Sequence, residues 1–466
     1  MLDNPKLSVL HIDPRQPLPE TDDVRPPAFT DEALALDFAE RHADDLRFVS
    51  AWGKWMNWTG THWQQDDTLL AFDRARAICR AAASECNKPK TASVLASAKT
   101  VAAIERLAKA DRRLAATTDQ WDRDPWVLNT PDGVIDLKSG TMRSHDPGEC
   151  LTKITSVAPG GDCPTWLAFL DRVTGGDTEL QGFIQRMAGY ALTGDTSAHA
   201  LFFLYGTGGN GKSVLIDTVA GILGDYHKTA PIETFTASNG DRHPTDLAGL
   251  RGARLVTAIE TEEGRRWAES RIKSLTGGDT ISARYMRQDF FEFQPQFKLA
   301  IAGNHKPGLR SVDEAIRRRL NLVPFTVTIS KAERDEGLKE KLKEEWPGIL
   351  QWMLTGCLEW QSRGLGAPEA VKAATDAYLD AEDSFSEWLS DCTTVDPNAH
   401  EITADLFASW KAWAERAGEF IGTQKRFSQI MQDRNFQSKR QGGTGRAGFT
   451  GLSINRQDMT DAYWNK

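Results

Sequence analysis

At 466 residues the chain is too long for one hydrophobic core, so two to four domains are expected. Its 40% hydrophobic and 26% charged residues suit a water-soluble globular protein; no apolar run approaches a membrane span, no signal-like stretch opens the sequence, and no membrane partner is expected. The net charge of −9 excludes nucleic-acid binding by bulk positive charge, so such contacts must come from local basic strips acting over about 8–10 Å.

The elements are taken in chain order. Residues 1–30 carry Pro5, Pro14, Pro17, Pro19, Pro26 and Pro27 without periodicity and read as a tail. Asp31 opens a helix with Ala33, Leu34, Leu36, Phe38 and Ala39. Trp52, Trp55, Trp58 and Trp63 follow among short strands. They suit either a base-stacking platform or the core of a small meander, and the core is favoured. Residues 69–113 are Ala-rich and helical. Their cations (Arg74, Arg76, Arg80, Lys88, Lys90, Lys99, Arg106, Lys109, Arg112 and Arg113) suit a solvated face slightly better than a DNA-facing collar. Residues 31–118 thus form an N-terminal α+β module.

Residues 119–195 read as a β-meander, with turns at Pro131-Asp132-Gly133 and Ser139-Gly140, followed by helices from Pro164 to Leu192. Asp122, Asp124, Ser144 and His145 faintly suggest primase–polymerase acids. They lie among turn residues that bond their own backbone, with no βαβ scaffold around them, and that reading is rejected. The six cysteines form no Cys-x-x-Cys pair and no His cluster completes a zinc site. A reduced, cytoplasmic setting is expected.

Residues 196–362 read as an ATPase domain. The apolar run Leu201 to Tyr205 is a buried strand; Val214, Leu215, Ile216 and Val219 have helical spacing. Between them stand Gly206, Thr207, Gly208, Gly209, Asn210, Gly211, Lys212 and Ser213, the G-x-x-x-x-G-K-[ST] phosphate loop in its strand–loop–helix setting. Backbone N–H groups cradle the phosphates of ATP, Lys212 reaches the β- and γ-phosphates, and the Ser213 hydroxyl holds Mg²⁺. A second apolar strand, from Arg254, ends in acids, one to hold the Mg²⁺ shell and another to polarise water. Glu260 is best placed at the strand tip, Glu262 is its partner in either division of the roles, and Glu263 is in reserve. A third, from Phe297, ends at Asn304, placed to orient water against the γ-phosphate. Arg317, Arg318 and Arg319 suit an arginine finger offered to a neighbouring subunit, with at least one of them structural. Between the last two strands lie a helix, the Gly277-Gly278 turn and a hairpin turning near Gln288-Asp289. Lys273, Arg284 and Arg287, with Tyr285 and Phe290, fit a DNA-gripping loop or a stabilising hairpin equally well.

Residues 363–400 read as a helical connector. In 401–466, two helices precede a basic glycine-rich hairpin, as in a winged helix. Lys425, Arg426, Lys439, Arg440 and Arg446 are its candidate phosphate contacts, and a helical protein-docking module is the alternative.

The ordered set GTGGNGKS, LVTAIETEEG, IKSLTGGDTISARYMRQDFFEFQPQFKLAIAGNHKP and DEAIRRRLNLVPF closely resembles the superfamily III helicase domain of phage and plasmid primase–helicases. That group's C-terminal half is similar to the poxvirus NTPase/primase. NTPDGVIDL, HDPGE and GILQWMLTGCLEW extend the resemblance to about three quarters of the chain. It implies an α/β fold: an AAA+-like P-loop ATPase core with a mixed α+β N-terminal region and a C-terminal winged helix. It also implies a ring, usually a hexamer, moving 3′ to 5′ on single-stranded DNA at forked or origin DNA. The setting implied is replication of a phage, prophage or plasmid in a bacterial host, with a separate primase or polymerase as partner. Lys212, Glu260, Glu262, Asn304 and Arg318 or Arg319 carry the family's catalytic roles, and Lys273 to Arg287 its DNA contact. Two departures stand out. Thr261 separates the acids, and the N-terminal primase domain of many relatives is not found. An ATP-switched initiator or adaptor, and a defence or signalling ATPase, are the alternatives.

Overall fold

The computed structural model describes residues 26–237, 245–259, 265–286, 289–309, 312–434, 436–440 and 446–455. These fall into two compact units, 26–123 with 145–153, and 124–144 with 154–455. The expected tail lies, up to residue 25, outside the described residues.

In the first unit the helix Asp31–His42 is capped by Thr30, whose Oγ1 accepts from the Ala33 N–H, and buries Leu34, Ala35, Phe38 and Ala39. Helices Leu70–Glu85 and Ala98–Ala108 supply the facing core residues Ala71, Ala75, Ile78, Val101 and Ile104. The tryptophans are core rather than an open platform. Trp55 and Trp63 are buried, and their indole N–H groups donate to Glu105 Oε1 (2.7 Å) and the Pro147 carbonyl (2.9 Å). Asp122 accepts from the Thr152 N–H, thirty residues on, and not from within its own turn as expected. The segment 145–153 joins this unit because Trp63 and Leu151 pair through their backbones.

The second unit is built on five parallel strands: β1 (Leu201–Tyr205), β2 (His227–Thr229), β3 (Leu255–Ile259), β4 (Lys298–Gly303) and β5 (Leu320–Pro324). Their order across the sheet is β5-β1-β4-β3-β2. β1 is apolar on both faces because both are covered, as in a buried parallel sheet. Phe202 and Leu204 pack with Leu215, Ile216 and Val219 of helix α2 (Lys212–Leu223) and with Trp166 and Phe169 of helix α1 (Pro164–Thr174). Leu201 and Phe203 face the opposite core of Phe235, Trp267 and Ile272.

A meander, Val127–Thr130, Gly133–Asp136 and Thr141–Arg143, is fastened near the amino ends of these strands. The Arg254 guanidinium, buried over the Tyr226 ring, donates to the Leu192 and Val127 carbonyls at 2.6 Å each. Beside it Lys298 is buried over Tyr190 and donates to the Thr193 carbonyl and hydroxyl. Burial, and then Arg254, hold this lysine well below its ordinary pKa.

The C-terminal part comprises α3 (Ser384–Cys392), β6 (Thr393–Ile402), α4 (Thr403–Ala417), α5 (Gln424–Asp433), β7 (Gln437–Arg440) and β8 (Ala447–Ile454). Its antiparallel sheet runs β6-β8-β7 over a core of Phe385, Trp388, Trp410, Phe427 and Phe449. A helical connector over 363–400 does not account for β6. The β-branched run Thr393-Thr394-Val395 pairs with Ile454, Ser453 and Leu452 of a strand some sixty residues on (about 60).

Candidate active site

The loop 206–211 leaves β1 at the carboxyl edge of the sheet, where open α/β sheets place their ligands. Its glycines are there for close approach. A Cβ on Gly206 would stand 2.1 Å from Asn210 Nδ2 and 2.2 Å from the Phe325 carbonyl oxygen. Gly211, at φ +87°, has Val173 Cγ1 and Phe169 Cε2 at 2.6 and 2.9 Å from that position. Gly208, at φ +99°, faces open space, so the loop is packed beneath and clear above.

Lys212 is 6% exposed. Its Nζ donates to the Gly206 carbonyl at 2.7 Å, Asn210 Oδ1 at 3.1 Å and Asn304 Oδ1 at 3.2 Å. Because β4 lies directly beside β1, the loop lysine and the strand-tip amide meet across 92 residues. Asn210 is buried and turns its Nδ2 to the Phe325 carbonyl, tying the loop to the end of β5. Burial lowers the Lys212 pKa. Ser213 is exposed at the second position of α2.

Above the loop lies a cleft of about 780 Å³, within the range of nucleotide-sized sites. Ala168 and Phe169 line one wall, Ile329 and Leu338 the other, and Lys212, Ser213 and Asn304 its floor. The Ile329 N–H donates to the Gly209 carbonyl, and the Arg334 guanidinium reaches over Gly209. Arg172 pairs with Glu333 at 3.1 Å across the mouth. Arg172, Glu333 and Arg334 were not anticipated. The polar run 330–337 has no periodicity, and its approach to the loop is set by the sheet.

Glu260, Glu262 and Glu263 lie outside the described residues; β3, which leads to them, runs beside β4 up to Ile259. The three arginines part company. Arg319 is buried, its Nε donating to Thr276 Oγ1 at 3.0 Å and its Nη1 to the Ala315 carbonyl at 2.8 Å. Arg317 pairs loosely with Asp376 at 3.4 Å, and Arg318 is exposed.

Strands Ile281–Ala283 and Phe291–Phe293 form the expected hairpin. Its tip exposes Tyr285, Met286 and Phe290, with the Arg284 guanidinium 4.7 Å from the Phe290 ring centroid. Arg287 lies outside the described residues. Lys273, expected beside the tip as a DNA contact, is ion-paired with Asp313. Lys439, Arg440 and Arg446 are exposed on β7 and just before β8, whereas Arg426 leans over the Phe420 ring.

Two family models match the chain: D5 N terminal like over residues 35–175, and a family of unknown function, DUF5906, over 204–319. A "Putative helicase" of Acanthamoeba polyphaga mimivirus is 27% identical over 319 residues, 63% of this chain and 33% of that protein. Another of that name, from Frog virus 3, is 26% identical over 259 residues, 51% of this chain and 26% of that one. The D5 N terminal like match and the helicase-named viral relatives support a likeness to phage and viral primase–helicases. The chain spans a third or less of the length of these two relatives. The apo structure of the NrS-1 C terminal region aligns with 90% of this chain and 99% of its own, at 9% identity and TM-score 0.48. The expected bacterial host finds no support in the two helicase-named relatives, which come from mimivirus and Frog virus 3. Among the described residues no helix is long and apolar enough to cross a membrane.

Proposed function

We propose that the chain is an ATP-driven DNA helicase motor with an AAA+-like P-loop core, working as a ring on single-stranded DNA. The observation that carries this reading is the meeting of Lys212, at the glycine loop after β1, with Asn304, at the tip of the adjacent strand β4, on the floor of the cleft. The buried ammonium is held by carbonyl and amide oxygens that phosphate oxygens can replace. In that exchange Lys212 leaves Asn304, whose amide then orients the attacking water. The apolar side chains of Ala168, Phe169, Ile329 and Leu338 that line the cleft suit a nucleobase, and Arg334 supplies a cation beside the loop. Ser213 and Glu260 are the residues that would hold Mg²⁺, which supplies charge neutralisation at the β- and γ-phosphate oxygens. Glu262 is assigned the base.

Arg318, exposed where Arg319 is not, is the cation offered to the site of a neighbouring subunit. The hairpin tip, with Arg284, Tyr285 and Phe290, suits a strand whose bases stack and whose phosphates are drawn to cations. The order helix, strand, helix, helix, strand, strand from Ser384 supports reading this part as a winged helix. The test is ATP hydrolysis by the full chain with and without single-stranded DNA. Turnover stimulated by DNA and lowered more than a hundredfold by Lys212→Ala is expected. Unstimulated turnover that ignores Lys212→Ala and Arg318→Ala would overturn the reading. ATP-dependent DNA binding without any strand displacement would instead mark an initiator or adaptor.

A further inference from the structure

Strand β4 pairs with β1 as far as Gly303 and Tyr205, so the ladder stops one residue short of Asn304. The placing of that residue's backbone falls to the segment that follows, 305–309. From one side the Gly308 N–H donates to the Arg265 carbonyl at 2.8 Å, and the Gly308 carbonyl accepts from the Trp267 N–H at 2.9 Å. From the other side come two side chains at the end of the helix Glu369–Ala381. The Tyr378 hydroxyl donates to the Pro307 carbonyl, and Glu382 Oε2 accepts from the Leu309 N–H at 2.7 Å. Pro307 has no N–H, so its carbonyl is its one main-chain handle. Lys306 lies over two rings, with Nζ 4.2 Å from the Tyr205 centroid and 5.6 Å from that of Tyr378. Tyr205 is the residue that leads into the glycine loop. The helix behind these contacts is itself seated on the sheet, where the Leu322 N–H of β5 donates to Thr375 Oγ1 at 3.0 Å.

Filling space does not call for either polar group. Tyr378 is 5% exposed, and its hydroxyl is fixed from two sides, since it also accepts from the Trp267 indole N–H at 3.2 Å. Burial pushes the Glu382 carboxyl up and Glu419 adds to this, while the Leu309 N–H, Arg266 and Lys306 offset part of it. Two groups that are unfavourable to bury are thus aimed at main-chain atoms of one short segment, which begins at the strand-tip amide. We infer that Tyr378 and Glu382 are positioning residues for the nucleotide site, holding 305–309 so that the Asn304 amide stands where it orients the attacking water. Neither residue lines the nucleotide cleft, so each acts through Asn304. A misplacement of about 1 Å at such a group costs on the order of a hundredfold in rate, whereas binding depends on the loop and Lys212. The inference rests on the ATPase reading above and on the role given there to Asn304.

The test is steady-state ATP hydrolysis by the full chain, with binding of a non-hydrolysable ATP analogue measured alongside. Tyr378→Phe and Glu382→Ala are each expected to lower kcat at least fivefold while leaving the affinity for the analogue within twofold of the native chain. Glu382→Gln keeps an oxygen that accepts from the Leu309 N–H and is expected to restore kcat to within twofold. In a chain already carrying Asn304→Ala, Tyr378→Phe is expected to bring no further loss, because both changes remove the same contribution. A fall of the same fold in that background would mark a general loosening of the fold and overturn the inference. So would native kcat in Tyr378→Phe or in Asn304→Ala, a loss of analogue affinity as large as the loss of kcat, or Glu382→Gln as slow as Glu382→Ala. The two readings fail separately. Turnover that ignores Lys212→Ala overturns the ATPase reading and this inference with it, whereas additive losses in a chain that Lys212→Ala inactivates overturn the inference alone.

Discussion

Lys212 directs its ammonium at oxygens of its own loop and of Asn304, inside a site that lowers its pKa. Phosphate charge favours the protonated amine, so nucleotide affinity falls as pH rises through the lowered value toward the ordinary lysine value of about 10.4. Titrating a fluorescent ATP analogue across that alkaline range is expected to show this decline, and Lys212→Arg, which keeps its charge, is expected to flatten it. The neighbouring arginines separate by burial. Arg319→Ala removes a buried, hydrogen-bonded guanidinium and is expected to cost about 3 kcal/mol in chemical unfolding. Arg318→Ala is expected to leave the unfolding midpoint in place while lowering turnover in rings mixed with native subunits. Lys298 behaves in the opposite sense to a paired cation. Between its lowered pKa and the ordinary lysine value the unfolded chain binds the extra proton, so stability rises with pH across that window. Lys298→Met is expected to remove the slope, read from urea midpoints at several alkaline pH values.

Local elements were the legible part. The run from Leu201 to Val219 announced strand, loop and helix because each depends only on near neighbours: an apolar run, glycines, then helical spacing. The hairpin around 284–290 and the helices α4 and α5 were legible for the same reason. What sequence spacing does not carry is which distant segment meets the loop. Phe325 and Ile329 reach it because β5 lies beside β1, and Arg319 is buried because Thr276 happens to face it. Lys273 has the same history, being paired with Asp313, forty residues away. The strand β6 was missed because its partner β8 stands near the chain's end. Asp383 shows how much one such contact can hold. Its carboxylate caps α3 through the Ser386 N–H and pairs with Arg434 beyond α5. Burial raises its pKa, but the bonds from Arg434 and Ser386 outweigh that and leave it lowered. Asp383→Ala is therefore expected to destabilise the C-terminal part by about 2–4 kcal/mol, visible as earlier proteolysis there.

At the scale of the whole molecule, the order β5-β1-β4-β3-β2 puts the glycine-loop strand β1 between β5 and the Asn304 strand, with the strand leading to the acids next beyond. One edge of one sheet thus gathers the ends of segments spread over more than a hundred residues, and the cleft sits above them. The proposed motor needs a second copy to supply Arg318 and a strand of DNA to move. Unwinding of a forked duplex by the purified full chain with ATP and Mg²⁺ tests this most directly. Displacement of the labelled strand that requires ATP hydrolysis, and that is lost in Lys212→Ala, is predicted. A chain that hydrolyses ATP and binds the fork yet never separates its strands would contradict the account.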